Sequence, residues 1–320
     1  MLDDVRPALL AYLPSPSRGV WHWGPIPFRA YALCIIAGVI IAMIITERRW
    51  VARGGRKGTV ADVATWVVPV GLVGARLYNL ITDPELYFFK GKDPWKAFAI
   101  WDGGLGIWGA VLAGALVALW YCRRRGLAFG AFADATAPGL IVAQAIGRCG
   151  NYFNQELFGG PTSLPWGIRI DPTHRPLTTP NDVFYQPTFL YESIWDLATF
   201  GVLLWADRKW KLGHGRLFAL YVACYTAGRA WIEALRVDHA NHFLGVRIND
   251  WVCLVCFIGA VIYLYRTRGK TREEFVEPPD PGPLSDERAL LVGGVQSASA
   301  GSASPRVPGP ATGPPPRGDP

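Results

Sequence analysis

Apolar residues in this chain gather into seven blocks separated by short polar connections. The blocks run from about Phe28 to Thr46, Val60 to Ile81, Ile100 to Tyr121, Phe129 to Ile146, Pro187 to Ala206, Leu217 to Leu235 and Ile248 to Tyr265. Each is roughly 18–22 residues long, the length a helix needs to cross a hydrocarbon core of about 30 Å. The pattern predicts an all-α polytopic membrane protein with seven transmembrane helices.

The polar connections carry an orientation signal. Those after blocks one, three, five and seven are the basic ones: Arg48, Arg49, Arg53, Arg56 and Lys57; Arg123 to Arg125; Arg208, Lys209 and Lys211; Arg266, Arg268, Lys270 and Arg272. Short basic loops stay in the cytoplasm. The expected topology is therefore N-terminus outside and C-terminus cytoplasmic. Lys90, Lys92 and Lys96 after block two weaken that signal without reversing it. Residues 1–27 form an interfacial lead-in with Trp21 and Trp23, which suit a membrane boundary. Its acidic start and Pro7, Pro14 and Pro16 do not match a cleavable signal. Residues 28–272 form the membrane domain. Residues 273–320, rich in Pro, Gly, Ser and Ala, lack the apolar surface to offset ordering and are expected to be a disordered cytoplasmic tail. The connection over 150–186 is the longest, and is expected to form a small extracytoplasmic head between helices four and five, with a short strand in Trp166–Ile170.

Composition adds exclusions. The 320 residues carry a formal net charge of +7 and a pI of about 9.2. A nucleic-acid partner is not expected, because the cations sit in loops where orientation signals sit. The six cysteines form no disulfide framework, and Cys253-x-x-Cys256 has no second pair or histidine to make a metal site. Gly104-x-Gly106-x-x-Gly109 matches a dinucleotide fingerprint literally, but no βαβ unit surrounds it. Gly106, Ala110 and Gly114 instead mark a small-residue helix face suited to close packing.

One stretch departs from the apolar pattern. Gly147-Arg148-Cys149-Gly150-Asn151-Tyr152-Phe153-Asn154-Gln155-Glu156-Leu157-Phe158-Gly159-Gly160 mixes a cation, amides, a carboxylate and glycines at the outer end of block four. Charges at membrane depth pair, face a cavity or serve a function. Arg229, Glu233 and Arg236 share one face of block six, at the same predicted end. Two arginines against one carboxylate leave a positive surplus, and Arg148 adds to it. Guanidinium groups bind phosphate bidentately, so the expected ligand is a phospholipid headgroup, most simply an anionic one. Glu192 and Asp196, one turn apart in block five, read as partners for the arginines, and Glu156 as a group that orients Arg148 or handles a proton. Gly-x-Ser-x-Gly, His-Glu-x-x-His and P-loop motifs are missing, as is an acidic cluster for metal-assisted phosphoryl transfer.

The stretch Gly147-Arg148-x-Gly150-Asn151-x-x-Asn154-x-Glu156-x-x-Gly159 resembles the signature of the bacterial prolipoprotein diacylglyceryl transferase family. The resemblance extends to Asp102-Gly103-Gly104-Leu105, to Gln186-Pro187-Thr188-x-x-Tyr191-Glu192 and to Arg229-x-x-x-Glu233-x-x-Arg236, and covers residues 25–270. It implies transfer of the diacylglyceryl group of phosphatidylglycerol to the lipobox cysteine of a prolipoprotein signal peptide, giving a thioether and glycerol phosphate. This is the first step of bacterial lipoprotein maturation. It implies a multi-pass protein of the bacterial plasma membrane, its site toward the extracytoplasmic face, needing no cofactor or metal. By this resemblance Arg148, Arg229, Glu156, Asn151 and Tyr31 are catalytic. Arg148, Arg229, Arg236, Asn151, Gly159 and Tyr225 bind phosphatidylglycerol, and Gly103, Gly104, Glu233, Glu192 and Asn154 support them. Many family members place a histidine where Trp108 stands here, and often another where Gln186 stands, so a histidine base at those positions is not available.

The expected chemistry makes the acceptor cysteine the nucleophile. It attacks the glycerol carbon bonded to the phosphate, while Arg148 and Arg229 stabilise the leaving phosphate. Glu156, Tyr31 or the phosphate takes the thiol proton. Two other classes fit the residues less well: another phospholipid-headgroup transferase, and an anion transporter, which would need polarity at both ends of the bundle.

Overall fold

The apolar blocks fold as helices. Seven helices form among the described residues: α1 Ala30–Val51, α2 Thr59–Thr82, α3 Ile107–Arg124, α4 Phe129–Asn154, α5 Thr188–Trp210, α6 Arg216–Leu235 and α7 Ile248–Arg266. The computed structural model describes residues 12–16, 18–24, 26–89, 92–99, 103–176, 178–237, 242–270 and 272–273. The described residues form one compact unit. All of the expected tail 273–320 except Glu273, the whole lead-in before Tyr12, and Lys90, Asp102 and His239 lie outside the described residues.

Four of the seven helices, α1, α2, α4 and α7, are long and apolar enough to cross a membrane. Of the other three, α3 is only 18 residues long and ends on Arg123 and Arg124, α5 holds Glu192, Asp196 and Asp207, and α6 holds Arg216, Arg229 and Glu233. The helices expose many apolar side chains, among them Ile36, Ile40, Val73, Leu112 and Val255, as lipid-facing residues would be.

α4 is the hub. It packs along α1 on one side and against α5 and α6 on the other, while α2 pairs with α3 and α6 with α7. The small-residue face of α3 meets α2: a side chain at Gly106 would strike Tyr78, and one at Gly109 would reach the Gly74 backbone. Half of the most apolar stretch of α4 is buried, which fits its central place.

Two helix boundaries differ most from expectation. α3 starts at Ile107 rather than near residue 100, because the chain first turns through Gly103 and Gly104, both at positive φ (88° and 68°). α4 runs to Asn154 rather than stopping near Ile146. Gly147–Asn154 is thus the last two turns of a helix, not a loop. The helix ends at Gln155, whose φ of 51° turns the chain.

Three small hairpins cap the same end of the bundle. β1 (Val20–Trp23) pairs with β2 (Ile26–Arg29) and leads straight into α1, so the boundary expected at residue 27 falls inside a hairpin. β3 (Ile168–Arg169) pairs with β4 (Phe184–Tyr185) in the connection between α4 and α5, confirming a strand within Trp166–Ile170. β5 (His242–Phe243) pairs with β6 (Val246–Arg247) before α7. The head built around β3 and β4 has its own core of Phe158, Ile168, Ile170, Tyr185 and Phe189. Leu13 bridges to Ile168, and Tyr152 donates its hydroxyl to the Pro14 carbonyl, so the N-terminal segment is part of the head.

The opposite end is held by partly buried ion pairs. Arg53 lies 3.1 Å from Asp207 of α5 and 3.7 Å from Asp134 of α4, and Arg49 lies 2.6 Å from Asp207. Arg272 also pairs with Asp207. Asp134 accepts hydrogen bonds from the Gly215 and Phe218 amides at 3.0 and 2.9 Å, capping the start of α6.

Candidate active site

At the head end, three helices bring charge to one place. α4 ends there, α5 starts there and α6 ends there, so Arg148, Glu192 and Arg229 converge although they lie far apart in sequence. Arg148 Nη2 is 2.6 Å from Glu192 Oε1, and Arg229 Nη1 is 3.3 Å from the same oxygen. One carboxylate thus joins both guanidinium groups. Arg148 keeps about a fifth of its side chain exposed, whereas Glu192 is buried.

A second carboxylate continues the network. Glu233, 1 % exposed, lies 2.5 Å from Arg229 one turn before it and 3.7 Å from Arg236. Arg247 and Asn249, at the start of α7, donate to its Oε1 at 3.1 and 3.3 Å. Arg247 also donates to the Arg236 carbonyl at 2.8 Å. Four arginines therefore surround two carboxylates, and the surplus is positive. Such a patch, partly sheltered from water, attracts an anion more strongly than an exposed one would.

Glu156 sits apart from this chain of pairs. Its Oε1 accepts from the side-chain amides of Asn151 at 2.9 Å and Asn154 at 3.1 Å. Arg148 pairs with Glu192 rather than with Glu156, so the expectation that Glu156 orients Arg148 is corrected: Glu156 holds the two asparagines of the last turn of α4. Asn151 is buried. Tyr31 of α1 packs over Gly150, close to both Glu156 and Arg148.

Gly159 is drawn to the same end by backbone pairing. Its amide donates to the Gln186 carbonyl at 2.8 Å, and it bridges to Arg236. Tyr225, one turn before Arg229, stacks on Tyr221, and Tyr221 donates to Gln144 at 3.0 Å. The Gly103–Gly104 turn is organised elsewhere. Its described contacts are with α2: Arg76, itself buried, donates to the carbonyls of Gly103 (2.6 Å), Gly104 (3.0 Å) and Ala97 (2.8 Å). Asp196, expected to pair with the arginines, has no hydrogen-bond partner for either oxygen among the described residues.

Sequence reasoning did not single out Arg76, Arg247, Asn249 and Gln144. Arg247 and Asn249 had a signal: they open block seven on the face where Arg236 leaves block six. Arg76 had one too, as a charge deep inside an apolar block.

The family model described as prolipoprotein diacylglyceryl transferase matches residues 18–266, a span that contains every element of this cluster. The chain belongs to that family. A phosphatidylglycerol–prolipoprotein diacylglyceryl transferase of Streptomyces avermitilis is 56% identical over 284 residues, covering 87% of this chain and 82% of that protein. One from Streptomyces griseus subsp. griseus is 58% identical, covering 84% and 82%. One from Mycobacteroides abscessus is 53% identical, covering 80% and 78%. The matched span includes Arg148, Glu192, Arg229, Glu233 and Arg236, which lie together at the head end of the helical bundle.

Proposed function

We propose that this chain is a phosphatidylglycerol–prolipoprotein diacylglyceryl transferase of the bacterial plasma membrane. It moves the diacylglyceryl group of phosphatidylglycerol to the thiol of a lipobox cysteine. All seven helices cross the bilayer, the N-terminus is outside and the basic C-terminal end is cytoplasmic. The clustering of Arg49, Arg53 and Arg272 at the end away from the head supports that orientation. The head and the arginine cluster then face outward, where secreted preproteins emerge. Residues 28–272 are the catalytic domain, and 273–320 a cytoplasmic tail without a fixed structure.

The observation that carries the reading is the convergence of Arg148 and Arg229 on Glu192. In the resting state Glu192 balances the two guanidinium groups. The lipid phosphate enters beside it and takes bidentate hydrogen bonds from both arginines. The acceptor thiolate attacks the glycerol carbon next to the phosphate ester. A carbon–sulfur bond forms, the carbon–oxygen bond breaks, and the electron pair leaves on glycerol phosphate. Charge on that leaving phosphate grows in the transition state, and the arginines meet it without reorganising. A thiol has a pKa near 8.5 in water and ionises more readily beside cations. Glu156, held by Asn151 and Asn154 next to Tyr31, takes its proton. Arg236 and Gly159 shape the headgroup pocket, Tyr225 packs beneath it, and Glu233 fixes Arg229. This displacement draws on electrostatic stabilisation by the arginines and proton removal by Glu156, and requires no cofactor.

The test is transfer of labelled diacylglyceryl from phosphatidylglycerol to a lipobox peptide by purified protein, with Arg148→Ala in parallel. A thioether product from the wild type and none from the variant is expected. No product from the wild type across anionic lipids would overturn the activity. Anion flux in liposomes without lipid turnover would make the arginines a transport path instead.

A further inference from the structure

Beneath the arginine cluster lies one acidic group that the mechanism above does not use. Asp196 is on α5, one turn below Glu192 and on the same face. It is 1 % exposed, and neither of its oxygens has a hydrogen-bond partner among the described residues. Tyr221, which lies near it, is already committed to Gln144. Arg148 and Arg229 stand close enough to act on Asp196 electrostatically, yet both make their ion pairs with Glu192 one turn above. Buried carboxyl groups are nearly always met by donors, so an unmet one beside a ligand site points to donors that arrive with the ligand.

We infer that Asp196 accepts hydrogen bonds from the hydroxyls of the phospholipid headgroup and thereby selects a glycerol headgroup. This rests on the reading of the cluster as a phosphatidylglycerol site. The reach is suitable. One helical turn separates Asp196 from Glu192 by about 5.4 Å. The headgroup hydroxyls lie three to four single bonds, each about 1.5 Å, beyond the phosphate oxygen. With the phosphate between Arg148 and Arg229, a glycerol pointing into the bundle brings its hydroxyls to the level of Asp196. The charge pattern narrows the choice further. An ammonium headgroup would also offer donors and gains from a charged Asp196, but the two guanidinium groups one turn above repel it, whereas a neutral hydroxyl donates without that cost.

The experiment pairs a residue with a substrate group. Transfer to a lipobox peptide is measured for phosphatidylglycerol and for phosphatidylpropanol with the same acyl chains, which keeps the phosphate and the three-carbon headgroup but lacks both hydroxyls. Phosphatidylethanolamine serves as the cationic arm. The wild type is expected to prefer phosphatidylglycerol over either alternative by about 10- to 100-fold in kcat/KM, the range of a hydrogen bond to a charged group. In Asp196→Ala the phosphatidylglycerol to phosphatidylpropanol ratio is expected to fall toward one. A wild type that uses phosphatidylpropanol or phosphatidylethanolamine as well as phosphatidylglycerol overturns the inference, even where the alanine variant fails to fold. So does a variant, Asp196→Ala or the more conservative Asp196→Ser, that keeps the full preference. A wild type that transfers from none of the three lipids instead removes the function on which the inference rests.

Discussion

Arg148 on α4 reaches across to Glu192 on α5 at 2.6 Å, while Glu156, eight residues along its own chain, is occupied by two asparagines. The site is therefore split. One part, shared among α4, α5 and α6, holds the arginines that bind the anion in the proposed mechanism. The other belongs to the end of α4 and the turn that follows it, and forms the rim in that mechanism.

Arg148 and Arg229 are expected to tolerate no substitution, including lysine. Lysine keeps the charge but presents a point donor in place of the planar fork. Arg148→Lys and Arg229→Lys are each expected to lower kcat by about 10²–10³-fold. Thermal stability in detergent should stay close to wild type, since Glu192 retains one arginine in each variant. A lysine variant with near-normal kcat would show that charge alone suffices.

Glu192→Ala is expected to act on stability as well as on rate. It leaves two partly buried guanidinium groups without their shared partner. Breaking a buried pair from one side typically costs about 3–5 kcal/mol, which would appear as a clear fall in the melting temperature. Phosphatidylglycerol should restore part of that loss, because its phosphate supplies the missing anion. A melting temperature that does not respond to the lipid would argue against phosphate binding at this place.

Glu156→Gln separates two roles. Glutamine keeps a side-chain oxygen for Asn151 and Asn154, so the last turn of α4 should stay in place, but it accepts no proton. Activity is expected to fall by about 10²–10⁴-fold, the usual range for general base catalysis, with little change in KM for the lipid. Full activity in this variant would pass the proton to Tyr31 or to the phosphate.

The seven helices were legible in the apolar blocks because bilayer thickness sets a length that composition alone reveals. The arginine cluster was legible as charge at one end of blocks four and six. Its wiring was not. Glu192 was read as an arginine partner and is one. But which carboxylate meets Arg148 depends on how α4 and α5 lie side by side, and hydropathy is silent on that, so Glu156 was also assigned to Arg148 while it in fact holds Asn151 and Asn154. The end of α4 was misplaced for a related reason. Gly147, Gly150 and the polar residues between them read as a loop, yet each glycine sits where α1 approaches α4, and helix packing outweighs the weak helix propensity of glycine. Arg247 was passed over because it stands outside every motif, at the foot of α7.

Gly150 gives the last prediction. A methyl group there would come within 2.6 Å of the Tyr31 ring and 3.2 Å of its Cα. The backbone of α1 cannot step aside without disturbing its long seam with α4, so Tyr31 has to give way. Tyr31 packs beside Glu156 and Arg148, and moving it opens the rim where the thiol is to be held. Gly150→Ala is therefore expected to lower activity by more than about tenfold, with a destabilisation of about 1–3 kcal/mol from overpacking. Shaving the opposing side chain in Gly150→Ala/Tyr31→Ala should recover the stability but not the activity, because the clash is relieved while the tyrosine is lost. Recovery of both in the double variant would reduce Tyr31 to a packing residue and leave Glu156 as the group at the rim that matters to the thiol.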